Sequence, residues 1–249
     1  MATIFYFSST GNSLHAAKRI AEALDGKVLP MSNEATTCSD DMIGFVFPVY
    51  FWRAPRMVEQ FAAQLQITSK EVYKFAIVTH GGNELGALAH LGQILNAQGK
   101  TLHYGAQLRA VSNYTAHHEI DDSEDMQVQF DTELSEAIKE IQDWETNHIP
   151  RRTILSKIGG SFFPRENSDL FFTVSESCTG CKTCQKVCPA QNISAADNKV
   201  RFHQKCEHCF GCLHNCPQAA INWKSKTSGR KRYRHPDISL KEMAIFDRS

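Results

Sequence analysis

Along the first 150 residues the apolar positions switch between two periods. Residues 3–8 (TIFYFS) form an apolar, aromatic-rich run of strand length, and Leu14, Ala17, Ile20, Ala21 and Leu24 then recur at helical spacing. Further strands are predicted over 27–31, 42–49, 73–79 and 102–111. Helices are predicted over 54–65, 84–98 and 126–144, the last carrying Phe130, Leu134, Ile138, Ile141 and Trp144 on one stripe. Five strands alternating with helices imply a parallel sheet covered on both faces. Such sheets bind ligands at the carboxyl ends of their strands, where three loops fall here: 8–13, 48–55 and 79–86.

The pattern changes after residue 150. Residues 151–167 carry Arg151, Arg152, Lys157 and Arg165, with Gly159, Gly160 and Pro164 as breakers, and read as a linker. Beyond it FFTVSES-CTGCKTCQKVCPAQNIS resembles VRFHQK-CEHCFGCLHNCPQAAIN at an offset of 28 residues. Short strands over 171–175 and 200–203 introduce the two halves, and a turn at Asp197 and Asn198 separates them. The expected domains are therefore 1–150, a linker at 151–167, a small module at 168–224 and a basic tail at 225–249. The tail block from Arg230 to Arg234 reads as solvated, with docking onto the body as the alternative because Tyr233, Pro236, Ile238 and Leu240 are interleaved.

Composition narrows the function classes. A chain of 249 residues has room for one medium and one small domain. Zero formal net charge argues against a general nucleic-acid or membrane-surface binder. No run of 18 apolar residues is present, so no membrane span is expected. The start, MATIFYFSSTGNS, reads as a strand and a loop rather than a signal peptide. Residues 119–145 hold eleven acidic residues against Lys139 alone, read as a solvated helix face, with a docking patch for a redox partner as the minority reading.

The cysteines carry the strongest chemistry. Cys178, Cys181, Cys184 and Cys188-Pro189, and again Cys206, Cys209, Cys212 and Cys216-Pro217, each spell C-x2-C-x2-C-x3-C-P. This is the spacing for cubane iron–sulfur clusters, in which the fourth cysteine of each run serves the other run's cluster. One 4Fe–4S cluster is assigned to Cys178, Cys181, Cys184 and Cys216, and a second to Cys206, Cys209, Cys212 and Cys188. Zinc would need paired knuckles and has no use for the third cysteine of each run. Lys182, Lys186, His208 and His214 lie among the ligands and read as surface residues. Ile193 and Ile221 are expected to shield the clusters. Thiolate ligands and oxygen-sensitive clusters point to a reducing compartment, the cytoplasm. Cys38, left over in a polar stretch, is expected to be incidental.

The loop Ser8, Ser9, Thr10, Gly11, Asn12, Ser13 passes from a strand to a helix and offers hydroxyl and backbone donors to an anion. It lacks the GK[ST] ending of a triphosphate loop and the GxGxxG of a dinucleotide fold. It is similar to the phosphate loop of flavodoxins, a resemblance that covers residues 2–146. The resemblance implies an α/β flavodoxin-like doubly wound parallel sheet of order 2-1-3-4-5 and a bound FMN. Ser8, Ser9, Thr10, Gly11, Asn12 and Ser13 would hold its phosphate. Pro48, Tyr50 and Trp52 in the second loop, and His80, Gly81, Gly82 and Asn83 in the third, would approach the ring. Many flavodoxins place an aromatic where this chain has His80 and two glycines. Tyr50, Phe51 and Trp52 could instead be packing residues, and Asn113-Tyr114 is as suited to capping a helix as to touching a ligand.

The cysteine module resembles a bacterial-type two-cluster ferredoxin of α+β structure, and the whole chain resembles the flavodoxin–ferredoxin fusions. That resemblance implies an electron carrier passing electrons between two 4Fe–4S clusters and FMN, with a redox protein as donor or acceptor. The alternative is an FMN-dependent oxidoreductase that reduces a small substrate or quinone, with His80 or Tyr50 as proton donor and the clusters as its electron input.

Overall fold

A computed structural model describes residues 1–32, 36–82, 86–154, 158, 168–196 and 199–244. Asn83, the turn at Asp197 and Asn198, and most of the expected linker (Lys157, Gly159, Gly160, Pro164, Arg165) lie outside the described residues. The chain forms two compact units. One comprises Met1–Ser8, Asn12–Ala110 and Ser123–Phe163; the other comprises Ser9–Gly11, Val111–Asp122 and Pro164–Ser249.

The first unit is built on five strands: β1 (Ala2–Tyr6), β2 (Lys27–Pro30), β3 (Met42–Pro48), β4 (Tyr73–His80) and β5 (Tyr104–Arg109). All neighbours are parallel, and the spatial order is β2-β1-β3-β4-β5. This is the flavodoxin-like doubly wound arrangement. Strands β1, β3 and β4 are buried on both faces for nearly their whole length, and their unbroken apolar runs need that double cover. Edge strand β2 alternates exposed and half-buried positions instead.

Helices that accompany the sheet include α1 (Asn12–Ala23), α2 (Arg56–Gln64), α3 (Ala87–Asn96) and α4 (Glu124–Gln142). Helix α4 starts at Ser123, whose hydroxyl accepts a bond from Met126 N–H. It buries Phe130, Leu134, Ile138 and Ile141, as the stripe predicts. Trp144 departs from that stripe. It lies past the helix end at φ 55°, exposed, with its ring 5.2 Å from that of Tyr73. The acidic residues of α4 face outward for the most part, although Asp131 sits 3.2 Å from His15. Cys38 is not in a polar loop. It pairs in a two-residue ladder, Thr37–Cys38 with Gln66–Ile67, and is buried.

In the second unit β6 (Phe172–Val174) pairs antiparallel with β9 (Ile221–Trp223), and β7 (Ile193–Ala196) with β8 (Lys199–Phe202). Strands β7 and β9 escape a reading of the sequence because three or four residues are too few to show a period. One-turn helices at Thr183–Lys186 and Gly211–His214 carry cysteines inward. Phe172, Ile193, Phe210, Leu213, Ile221 and Trp223 form a core with Cys184, Cys188 and Cys212. The tail belongs to this unit and is not solvated throughout: Tyr233, His235 and Ile238 are buried. Lys231 pairs with Asp122 at 2.5 Å and Arg230 with Glu119 at 3.0 Å, which fastens the basic block to the 111–122 segment. Long-range side-chain pairing of this kind leaves no local periodicity, so the sequence divides the chain by its linker whereas the structure divides it by packing.

Candidate functional site

The eight cysteines of the repeat line two cavities in the second unit. One is bounded by Cys178, Cys181, Cys184 and Cys216, the other by Cys188, Cys206, Cys209 and Cys212. Their empty volumes, partly open to solvent, are alike, at about 350 and 340 Å³. The fourth cysteine of each run has crossed to the other run's cavity. Ile221 lines the first cavity and Ile193 the second, the shielding places expected of them.

The arrangement of the sulfurs bears on the kind of metal centre they suit. Among the described residues no three of them lie within 4.8 Å of one another. A tetrahedral zinc with Zn–S bonds of ~2.3 Å would bring them to about 3.8 Å. Four sulfurs set around a wider space suit a cubane, which has an iron at each sulfur.

Backbone conformation repeats with the cysteines. Gly180 and His208, Lys182 and Phe210, and Gln191 and Ala219 are each 28 residues apart, and all six have φ between 47° and 70°. Five are not glycine, so each stores roughly 1–3 kcal/mol of local strain. The left-handed turns aim N–H groups at sulfur: Asn192 N–H donates to Cys188 Sγ and its repeat mate Ala220 N–H to Cys216 Sγ, both at 3.3 Å. His208 N–H donates to Cys206 Sγ at 3.3 Å. Burial raises the thiol pKa of Cys184 to about 11 and pushes those of Cys209 and Cys212 well up. Such buried sulfurs become thiolates only against a cation, which the N–H donors assist.

Two histidines of the module correct the sequence reading, because neither is on the surface. His208 is buried, its ring 4.8 Å from Phe210 and 5.4 Å from Trp223. His214 is buried with Nδ1 accepting from Tyr233 N–H at 3.1 Å and Nε2 donating to Asn113 O at 2.7 Å. Burial holds both near pKa 4, so each packs as a neutral ring. Lys182 is exposed and Lys186 half-exposed, as expected.

Asn113 is the residue whose role the sequence left open. Its side-chain amide donates to Ser9 Oγ at 2.9 Å and to Cys209 O at 3.3 Å. Asn215 donates to Ser9 O at 3.1 Å, and Thr10 O accepts from His235 N–H at 2.8 Å. A Cβ added to Gly11, at φ 103°, would sit 2.8 Å from His235 Cβ, so only glycine fits there. The middle of the hydroxyl loop, Ser9 to Gly11, is thus built into the cysteine module's unit. The signal was available only as isolated polar residues far apart in sequence.

The rest of the expected flavin contacts lie in the first unit. Helix α1 begins at Asn12 with no acidic residue in its first turn, which leaves its N-terminus suited to an anion. Ser13 Oγ lies 2.9 Å from Thr79 Oγ1, tying α1 to the end of β4. Tyr50 and Arg53 exchange backbone bonds of 3.0 and 3.1 Å around Phe51 and Trp52, whose φ values are 50° and 60°. Two left-handed central residues define a tight turn that normally takes Asn and Gly. Here it holds two bulky aromatics, with Tyr50 buried and Trp52 37% exposed. Pro48 ends β3 half-buried, His80 ends β4 half-buried, and Gly81 and Gly82 follow exposed. These residues meet the description of a ligand edge: hydroxyls and a helix start at one strand end, an aromatic turn and bare glycines at the next two.

Arg53 anchors the aromatic turn through a two-pronged bond to Glu59, at 2.7 and 2.6 Å. Burial raises the Glu59 pKa while the Arg53 fork lowers it. His90 Nδ1 lies 3.5 Å from the same carboxylate, and burial with Arg152 and Arg53 nearby lowers the His90 pKa to about 4. A depressed histidine pKa gives stability that is full above the unfolded value of ~6.5 and lost as pH falls toward 4. Urea unfolding at pH 7 and pH 4.5 should show a smaller loss in His90→Gln than in the unmodified protein. The part removed is on the order of 3 kcal/mol across the full window.

Comparison with known proteins identifies one family within the second unit. The family described as a 4Fe-4S dicluster domain matches residues 172–231. The first unit has the flavodoxin-like strand order, and the second carries the match to the 4Fe-4S dicluster domain. A 45-residue stretch is 44% identical to one subunit of an ion-translocating oxidoreductase complex from Methanosarcina acetivorans. The match covers 18% of this chain and 17% of that protein. Among solved structures, a flavoprotein from Bacteroides uniformis shares 22% identity over 45% of this chain and 91% of its own, with a TM-score of 0.37. A flavodoxin from Streptococcus pneumonia shares 13% over 56% and 98%, with a TM-score of 0.36. At such scores the strand order itself, not these likenesses, carries the fold assignment. Among the described residues no helix is long and apolar enough to cross a membrane.

Proposed function

We propose that this chain is a cytoplasmic electron carrier that passes electrons between a redox partner protein, two 4Fe–4S clusters and FMN. The observation that carries the reading is the pair of crossed, four-cysteine cavities in a chain whose other unit has the flavodoxin strand order. Cys178, Cys181, Cys184 and Cys216 hold one cluster; Cys206, Cys209, Cys212 and Cys188 hold the other. Ser8, Ser9, Thr10, Gly11, Asn12 and Ser13 hold the FMN phosphate. Pro48, Tyr50, Trp52, His80, Gly81, Gly82 and Asn83 border its ring. When bound, the flavin supplies an exchange between two-electron and one-electron chemistry, and each cubane moves single electrons.

The residues around the cysteines divide the labour. Cys209 and Cys212 are buried, Cys212 in one apolar cluster with Phe210 and Leu213, and Phe210 lines the second cavity beside them. Cys181 is exposed beside Thr179, Gly180 and Lys182, so the first cavity has the edge at which a partner exchanges electrons. The strain in the aromatic turn supports flavin contact by Trp52, because left-handed backbone under a bulky exposed residue concentrates at ligand sites.

Trp52→Gly tests this contact. Relief of left-handed strain offsets the extra unfolded-state freedom of glycine, so stability should change by no more than about 1 kcal/mol. Loss of the aromatic face should weaken FMN binding by about 2- to 13-fold, from ~0.5–1.5 kcal/mol of ring contact beyond burial. A thermal melt and a fluorescence titration of the flavin-free protein with FMN read the two effects separately. Unchanged FMN affinity would remove Trp52 from the site.

A further inference from the structure

The basic tail contains one arginine whose surroundings differ from those of its neighbours. Arg230 and Lys231 pair with carboxylates at the surface. Arg232 is half-buried, and among the described residues no carboxylate pairs with it. Its Nη2 is satisfied by uncharged acceptors: Asn222 Oδ1 at 2.8 Å, Ile221 O at 3.2 Å and Ala219 O at 3.5 Å. Its other edge is not. Nε and Nη1 are both buried and, among the described residues, meet no hydrogen-bond acceptor.

A guanidinium stays charged, and burying one with two idle donors and no counter-charge is strongly unfavourable. Its bonds place it beside the first cavity: Ile221, whose carbonyl it meets, lines that cavity, and Ala219, whose carbonyl it also meets, precedes Ala220, whose N–H donates to Cys216 Sγ at 3.3 Å. Burial lowers the Arg232 pKa, and Cys216 and then Cys212 raise it. Those two cysteines belong to different cavities, Cys216 to the first and Cys212 to the second. A cubane with its four thiolates is anionic, and reduction adds one further negative charge. A fixed cation beside it stabilises the reduced state more than the oxidised one, and N–H donors to the sulfurs act in the same direction.

We propose that Arg232 is a potential-setting residue of the iron–sulfur module, which raises the potential of the cluster at Cys216 and, to a smaller extent, that of the cluster at Cys212. This rests on the cluster assignment above. The tail is then a working part of the redox module rather than an appendage.

The test is an anaerobic redox titration of the iron-loaded, full-length protein and of Arg232→Gln and Arg232→Lys. Each cluster is followed by electron paramagnetic resonance, with iron and sulfide analysis alongside. Arg232→Gln should keep its iron and shift the Cys216 cluster to a more negative potential, with a smaller shift in the other cluster. Arg232→Lys keeps the charge and should recover most of that shift. Unchanged potentials in an iron-replete Arg232→Gln protein would overturn the proposal. So would equal iron loss in both variants, which would make Arg232 a structural tie. Failure of the unmodified protein to bind iron would instead overturn the cluster reading, and the proposal with it.

Discussion

Cys188→Ala should strip iron from the cavity lined by Cys206, Cys209 and Cys212, although Cys188 lies in the other sequence run. The crossing is visible in the packing: Cys188 shares the second cavity, and Cys216 takes its place in the first. Cys188 Sγ also accepts a bond from Asn192 N–H, so the backbone turn that positions this sulfur is built for it. Removing one ligand of four leaves a buried iron without its thiolate, next to sulfurs whose own ionisation burial opposes. About half of the total iron should be lost, and the signal of the cluster at Cys178, Cys181, Cys184 and Cys216 should remain. Iron analysis with electron paramagnetic resonance of the reduced protein decides it. Loss confined to the first cluster would contradict crossed ligation.

Ser9→Ala combined with Thr10→Ala should weaken FMN binding by at least about 100-fold, since hydrogen bonds to a charged group contribute ~1.5–3 kcal/mol each. Iron content should hold. The structure makes this a sharper test than the sequence did, because Ser9 is packed within the cysteine module's unit. Its carbonyl accepts from Asn215, and the position of a Cβ on Gly211 is 3.3 Å from that oxygen and 3.6 Å from Cys209 Sγ. Both substitutions spare the backbone, so Ser9 O and Thr10 O keep their bonds from Asn215 and His235. The hydroxyls are lost, and with them the bond that Ser9 Oγ accepts from Asn113. Equal loss of flavin and iron would show that the loop and the clusters form one site instead of two.

Much of the fold was legible because its signals are local. The five strand cores fall within the predicted runs, and the two-sided burial of β3 and β4 explains why those runs are unbroken. The crossed cysteine sets follow from spacing alone. What the sequence concealed depends on conformation or on distant pairing. His208 and Phe210 gave no hint of left-handed backbone, since that region is normally marked by glycine or asparagine. His208 and His214 looked like surface residues until their packing and backbone partners were in view. The tail looked solvated because Lys231 and Arg230 find their carboxylates more than a hundred residues away. Asn113 belongs to the same class: one amide joins Ser9 to Cys209 across about a hundred residues of chain in each direction.

The central claim is that one chain holds a flavin and two clusters that exchange electrons. It is tested most directly by anaerobic reconstitution of the full chain with iron, sulfide and FMN, followed by a redox titration monitored in the visible and by electron paramagnetic resonance. About eight iron atoms and one FMN per chain are expected, with the flavin and both clusters reversibly reducible. Protein that binds iron but no flavin, or that holds clusters which accept no electrons, would contradict it.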